Sequence, residues 1–290
     1  MQPFPTLAPH ARRVFLGRSG LTLHVYDSRG SGPPILLLHG LGDEADTWRR
    51  LLPSLATRFR VVAPDLPGFG RSDQPPRHDV PFYASVVIDL LDTLGIRQTV
   101  LVGHSLGAAI AHWTALTQPH RVSRLILIGG SLVANPQRLD RVTLMFLIPG
   151  LGERLYNQLR ADPQAAYASL RPFYGDLDRL PQAERDFLFE RVNERVWSDG
   201  QCRAFLAAFR ALARWLPRQQ RGLPARLAAL GVPTLAIWGQ RDVVNRVAGA
   251  YALVAAQPTT RLVVVPGAGH NVHQEQPVAV LSAIGKTLAG

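Results

Sequence analysis

The chain has one cysteine, Cys202, and one lysine, Lys286, in 290 residues. A lone thiol excludes an internal disulfide and any Cys-x-x-Cys metal or redox pair, so neither metal nor cofactor is expected. Long apolar runs are missing too. None approaches the roughly 20 residues that span a bilayer, and the longest uncharged candidate, 142–152, is interrupted by Pro149 and Gly150. Residues 1–10 hold three prolines with neither a basic start nor an apolar segment. They do not read as a secretory signal, and a cytoplasmic location with no integral membrane segment is the expectation. The net charge is +11, yet the arginines are scattered singly or in pairs, with no basic run and no aromatic–basic interleaving. Nucleic acid is therefore not the expected partner. Arginine replacing nearly all lysine reads as coding bias, with steering of anionic substrates as a second reading. Repeats and low-complexity tracts are absent. With 47% hydrophobic and 18% charged residues, the chain is long enough for one large α/β domain or a domain with a substantial insertion.

What is present centres on residues 99–113, Thr-Val-Leu-Val-Gly-His-Ser-Leu-Gly followed by Ala-Ala-Ile-Ala-His-Trp. A β-branched run meets Gly-His-Ser-Leu-Gly and passes directly into an alanine-rich helical pattern. This predicts a strand, a very sharp turn and a helix. Gly103 and Gly107 lack the Cβ that would block close approach of strand and helix, and Ser105 at the tip must take strained backbone angles. Such a turn projects a hydroxyl out of the sheet, while the first helical N–H groups point toward whatever it attacks.

The flanking pattern supplies the frame. Strands are predicted at 13–15, 21–27, 35–38, 60–65, 99–102, 124–128, 234–238 and 261–265. In the second, Leu21, Leu23 and Val25 alternate with Thr22, His24 and Tyr26, the period of a half-buried antiparallel edge. Ile35 to Leu38 is continuously apolar, as a strand covered on both faces should be. Helical spacing of Tyr83, Val86, Val87, Leu90, Leu91 and Leu94 ends at Gly95, and further helices are expected at 106–116, 248–256 and 275–288. The alternation implies an α/β fold, a doubly wound, mostly parallel eight-stranded sheet with helices on both faces. Between about 132 and 230 the pattern changes to arginine-rich helical stretches broken by Pro136, Pro149, Pro163, Pro172, Pro181, Pro217 and Pro224. The expected organisation is a core of 1–130 and 231–290 with a helical cap inserted at 131–230.

A serine hydroxyl needs a base to take its proton and a carboxylate to hold that base in the right tautomer. In a doubly wound sheet the partners should sit at the carboxyl ends of strands. Two later strands run into Gly239-Gln240-Arg241-Asp242 and into Gly267-Ala268-Gly269-His270, giving the order Ser105, Asp242, His270. That order is the one expected for a nucleophile on such an elbow. With His39-Gly40-Leu41-Gly42 and Asp65-Leu66-Pro67-Gly68-Phe69-Gly70-Arg71-Ser72 added, five motifs in order resemble the α/β-hydrolase superfamily over nearly the whole chain. The resemblance implies a Ser105–His270–Asp242 triad, an oxyanion hole from the Leu41 and Leu106 N–H groups, and a cap after the strand ending at Ile128. No acid follows Ile128-Gly129-Gly130-Ser131, so the alternative acid position of relatives is unfilled.

Other residues have plainer readings. His39 and His104 are expected to shape their loops through hydrogen bonds, and His273 to be structural. Asp65 and Arg71 should hold the loop beneath the site, and Asp43 and Glu44 should serve a helix N-terminus. His39, Gly40, His104, Met145 and Phe146 are candidate pocket residues. Members of the superfamily that open epoxides or displace halide resemble this chain in the Asp-Leu-Pro-Gly-Phe-Gly loop but use an aspartate nucleophile; a serine points to acyl transfer instead. The leading expectation is a cofactor-free carboxylesterase acting on small to medium apolar esters. One alternative is a hydrolase of ring-fission diketones, with Arg171, Arg191 or Arg195 holding the substrate acid. Another is a ligand receptor that retains a slow triad.

Overall fold

The computed structural model describes residues 1–133 and 141–289; Pro136 lies outside them. Eight strands, β1 (Ala11–Leu16), β2 (Leu21–Asp27), β3 (Pro34–Leu38), β4 (Arg60–Pro64), β5 (Thr99–His104), β6 (Val122–Ile128), β7 (Thr234–Gly239) and β8 (Arg261–Val265), form one sheet. Their order is β1-β2-β4-β3-β5-β6-β7-β8. β2 pairs antiparallel with β1 and β4, and every other pairing is parallel. In chain order the helices are α1 (Leu52–Ala56), α2 (Val80–Thr93), α3 (Leu106–Thr117), α4 (Arg141–Phe146), α5 (Leu151–Gln158) and α6 (Pro163–Ala168). They continue as α7 (Gln182–Trp197), α8 (Asp199–Gln219), α9 (Leu223–Ala228), α10 (Val247–Ala256), α11 (Val272–Glu275) and α12 (Pro277–Ala289).

The continuous apolar strands divide their side chains between two cores. Leu36, Leu38, Leu101, Leu125 and Leu127 pack with α2 and α3 on one face. Ile35, Leu37, Val100, Val102, Ile126 and Ile128 pack with α1 and α12 on the other. Side chains that alternate across a strand require both faces to be apolar when both are covered. Between β6 and β7 all regular structure among the described residues is helical, α4 to α9. This stretch is only partly separate from the sheet: Ala204 and Ala208 of α8 enter the same core as α2 and α3.

Three expectations change. β2 is not an edge, since β1 lies outside it, and its supposedly solvated residues His24 and Tyr26 are buried. The Tyr26 hydroxyl accepts from Phe4 N at 3.1 Å and from Arg71 at 3.0 Å, so a polar network under the N-terminal segment replaces water. The closing helix expected at 275–288 is present as α12 but opens two residues later, at Pro277, whose missing N–H suits a first turn, and the short α11 precedes it. Pro217 does not break its helix but lies inside the last turn of α8.

The glycines of the elbow are where backbone meets backbone. A Cβ on Gly103 would lie 2.2 Å from the Gly107 carbonyl oxygen, and one on Gly107 would lie 2.2 Å from that of Leu38. Neither obstacle is a side chain that can swing away. Gly107→Ala should therefore destabilise the fold by roughly 1–3 kcal/mol or more, read as a lower urea midpoint; an unchanged midpoint would refute the close contact.

Candidate active site

Ser105 stands between β5 and α3 with φ 54° and ψ −114°. Among the described residues, only it and Arg29 are non-glycines with positive φ. Such a conformation costs on the order of 1–3 kcal/mol and persists only where the surroundings impose it. Here Ser105 N donates to the Ile128 carbonyl at 2.9 Å, and the Ser105 carbonyl accepts from Ala108 and Ala109 at 3.0 and 3.2 Å. Beyond β6, a Cβ on Gly130 would lie 2.6 Å from the Ser105 carbonyl oxygen, and one on Gly129 would lie 3.3 Å from His270 Nδ1. This glycine pair makes room for the elbow and the histidine together. Its role was not read from sequence, where the signal was the Gly-Gly at a strand end.

Asp242 and His270 are 3% and 2% exposed. His270 Nδ1–H donates to Asp242 Oδ2 at 2.8 Å. The other carboxylate oxygen accepts from Val244 and Asn245 N–H at 2.9 and 2.8 Å. The acid is thus fixed by three donors, and its hold on Nδ1 leaves Nε2 as the basic nitrogen. Asn245 Nδ2 also donates to the Gly129 carbonyl at 2.7 Å, tying the acid loop to the end of β6.

His104 donates from Nε2 to the His270 carbonyl at 3.1 Å. Its ring lies 4.8 Å from that of His270 and 4.4 Å from that of His273. His273 Nε2 is 2.8 Å from Thr47 Oγ1. His39 accepts from Leu66 N–H at Nε2 and donates from Nδ1 to the Gly40 carbonyl, both at 2.8 Å, which fixes a neutral tautomer. Burial lowers the pKa of His39 and His273, and that of His104 to about 3. These rings support loops as neutral groups.

Over the elbow passes the loop after β3. A Cβ on Gly40 would lie 2.9 Å from His104 Nδ1 and 3.2 Å from Ser105 Cβ, so this loop touches the elbow at the residue before Leu41. Among the described residues, neither the Leu41 nor the Leu106 N–H donates to a protein acceptor. Leu106 opens α3, where helical N–H groups are free by construction. Phe205 of α8 covers the loop, 2.9 Å from where a Gly42 Cβ would stand. Around Phe205 lie the rings of Phe146 at 6.1 Å, Tyr156 at 5.6 Å and Phe209 at 6.3 Å, and Phe173 lies 6.0 Å from His270. Phe146 thus reaches the site through Phe205; Met145 is half-buried on the same short helix. In sequence Phe205 read only as one of a helical apolar series.

The charged residues depart most from expectation. Glu44 sits at the N-cap of a short 3₁₀ turn but does not cap it. It accepts from Arg195 Nε at 2.6 Å, and Asp43 also accepts from Arg195. The N–H of Ala45 goes instead to Asp65 at 2.7 Å, whose other oxygen holds Arg71 at 2.8 Å, as expected for that loop. Arg191 is paired with Asp46 at 2.9 Å, and Arg171 with Asp178 at 2.8 Å on the surface. None of the three arginines considered for a substrate carboxylate is uncommitted.

Buried neutral histidines make stability depend on pH. His112, whose Nε2 lies 3.2 Å from Gln257 Oε1, is lowered by burial to about 4. Between about 4 and the unfolded value near 6.5, the unfolded chain binds protons that the folded chain does not. Stability is then full above about pH 6.5 and lost as pH falls, by up to about 1.4 kcal/mol per pH unit for each such histidine. Urea midpoints should drop from pH 7 to pH 5, with a slope smaller by about one proton in His112→Asn. Equal slopes would contradict the burial argument.

A family model described as the alpha/beta hydrolase fold matches residues 33–277. The chain is 29% identical to haloalkane dehalogenase 2 of Mycobacterium tuberculosis over 303 residues, spanning 97% of this chain and 96% of that protein. It is also 29% identical to the 2-hydroxy-6-oxo-6-phenylhexa-2,4-dienoate hydrolase of Burkholderia cepacia, over 88% of this chain and 86% of that protein. Among solved structures, a membrane phospholipase A described as a bacterial virulence factor superposes with TM-score 0.75 at 27% identity, over 97% of this chain and 86% of that one. With eight strands in this order, an elbow at Ser105, and a match that runs through Asp242 and His270, the chain belongs to the alpha/beta hydrolase family.

Proposed function

We propose that this hydrolase-family protein cleaves small to medium apolar carboxylic esters through an acyl-enzyme on Ser105. The observation that carries the reading is the buried Asp242–His270 pair beside an elbow whose tip residue is a serine. In the first half-reaction the Ser105 hydroxyl proton passes to His270 Nε2 as Oγ adds to the ester carbonyl. Asp242 holds the imidazolium that forms. The Leu41 and Leu106 N–H groups meet the developing oxyanion without reorganising, and each such donor contributes about 2.7–4 kcal/mol to lowering a barrier of this kind. Collapse breaks the C–O bond, and His270 returns its proton to the departing alcohol. Water, deprotonated by His270, then attacks the acyl carbonyl, releases the acid and restores Ser105.

The relatives carry other chemistries in their names, and the side chains here weigh against importing them. Halide displacement by a carboxylate leaves an ester that water can cleave, whereas a serine would be left as an inert ether. A dienoate substrate carries a carboxylate, and the α7 arginines that face the loop after β3, Arg191 and Arg195, are already neutralised by Asp46, Asp43 and Glu44. The aromatic group around Phe205 favours an uncharged acyl chain instead, with the helices of 131–230 acting as the cap.

p-Nitrophenyl esters of graded chain length should be hydrolysed by the native protein, with a rate loss on the order of 10⁴-fold or more in Ser105→Ala. A fluorophosphonate should add one phosphonyl mass at Ser105. Equal turnover by the variant would overturn the reading, and turnover of a ring-fission diketone with esters ignored would replace it.

A further inference from the structure

α7 presents one stripe of charged side chains, Glu184, Arg191 and Arg195, spaced i, i+7 and i+11, to the segment that follows β3. Glu184 accepts from Arg49 Nε at 3.0 Å. Arg191 donates to Asp46 at 2.9 Å and lies 3.5 Å from Glu44. Arg195, near the end of the helix, holds both Asp43 and Glu44, with its Nε 2.6 Å from Glu44. These contacts are shielded from water: Glu44 and Asp46 are fully buried, and the Arg195 side chain is 12% exposed. Burial pushes Glu44 above the ordinary carboxylate range. Against the same burial, Arg195 and His39 bring Asp43 below it.

The position of these acids in the chain gives the pairs their meaning. Asp43 and Glu44 are the second and third residues after Leu41, whose N–H is the proposed oxyanion donor. Gly42, between Leu41 and Asp43, adopts φ +72° under Phe205. Asp43 N closes the turn weakly, 3.4 Å from the Gly40 carbonyl. Asp43 Oδ1 accepts the Glu44 N–H at 3.0 Å within the turn, and a planar guanidinium bonded to both of these side chains adds the link to α7 that the turn cannot make itself.

We infer that Arg195 is a positioning residue for the oxyanion hole: from the cap it clamps Asp43 and Glu44 so that the Leu41 N–H faces the carbonyl carbon's oxygen above Ser105. The inference rests on the esterase reading of the same site. Its physical content is that the cap assembles part of the catalytic apparatus in addition to walling the pocket. Because the Leu41 N–H acts on charge that develops only in the transition state, loosening it should lower kcat and leave KM nearly unchanged.

The test compares an ester with its thionoester, in which sulfur replaces the carbonyl oxygen. A hole shaped for a small oxyanion discriminates against the larger, weaker sulfur acceptor, so the ester-to-thionoester rate ratio reports hole geometry directly. Four variants are compared: Arg195→Gln, Arg195→Lys, the charge-balanced pair Arg195→Gln with Glu44→Gln, and Asp43→Asn, which keeps the Arg195–Glu44 contact. Arg195→Gln leaves Asp43 and Glu44 with one cation fewer and is the one most exposed to misfolding; the balanced pair lessens that penalty by removing one of the two carboxylates, and Asp43→Asn avoids it. The expected result is an ester kcat lower by on the order of 10²-fold in the balanced pair, an unchanged KM, and a ratio that collapses toward one. Asp43→Asn should be intermediate, and Arg195→Lys should recover part of the loss. A ratio like that of the native protein in the balanced pair and in Asp43→Asn would overturn the inference alone. A native protein that cleaves no ester would overturn the esterase reading and this inference with it.

Discussion

The contact of the first turn of α3 with the carboxyl ends of β3 and β5 is the constraint on which the rest of the structure depends. Gly103 and Gly107 bring backbone to within a distance that no Cβ allows, and Gly107 rests on the Leu38 and His39 carbonyls. With the helix set that low, the residue joining it to β5 has no relaxed conformation to adopt. Ser105 is held in the left-handed region by the Ile128 carbonyl on one side and the start of α3 on the other. Because the surrounding strands are parallel, their carboxyl ends fall on one edge. The Gly129–Gly130 pair, Asp242 and His270 therefore arrive around the same point from β6, β7 and β8 without a dedicated loop to carry them.

This geometry explains which parts were legible in the sequence. The elbow could be read because its requirements are local: two glycines four residues apart, an apolar strand before them and an alanine-rich helix after them. Asp242 and His270 could be located because each lies within five residues of the carboxyl end of an apolar strand. The parts that escaped are long-range. Glu44 and Arg195 are 151 residues apart, and nothing local points from Arg191 and Arg195 to the acids after β3, which is why a substrate acid offered itself as their partner. Phe205 is indistinguishable in sequence from Leu206 and Phe209, yet it is the one placed against Gly42. β2 misled for a related reason. Its alternation was real, but the face read as wet is covered by the Tyr26, Asp46 and Arg71 network.

The arginine-rich composition also takes on a structural sense. Arg49, Arg71, Arg191 and Arg195 all sit in ion pairs with little exposure, between the sheet and the helices that follow β6. A guanidinium presents a planar fork of donors and is less strongly hydrated than an ammonium, so it tolerates such positions better than lysine. Whatever set the chain's preference for arginine, it supplies a side chain whose planar fork of donors can bond two neighbouring carboxylates at once. Pairs of this kind are weak evidence for stability, since desolvation offsets much of their attraction. Their clear contribution is to register, fixing how α7 sits on the loop after β3.

The two small residues of α8 that enter the main core bear on how a substrate gets in. Ala204 and Ala208 pack among the side chains of α2 and α3, so α8 cannot lift from the sheet without opening the principal hydrophobic core. The apolar contacts of the preceding helices are much smaller: Ala166 with Val192 and Val196 in one cluster, Tyr174 with Leu177, Leu180 and Leu188 in another. Opening such clusters removes far less apolar area from contact than opening the core does. The loosely seated part of this region therefore lies before α8, since Leu223 and Leu227 of α9 share the main core, while α8 itself is a fixed lintel that carries Phe205 above the Gly42 turn.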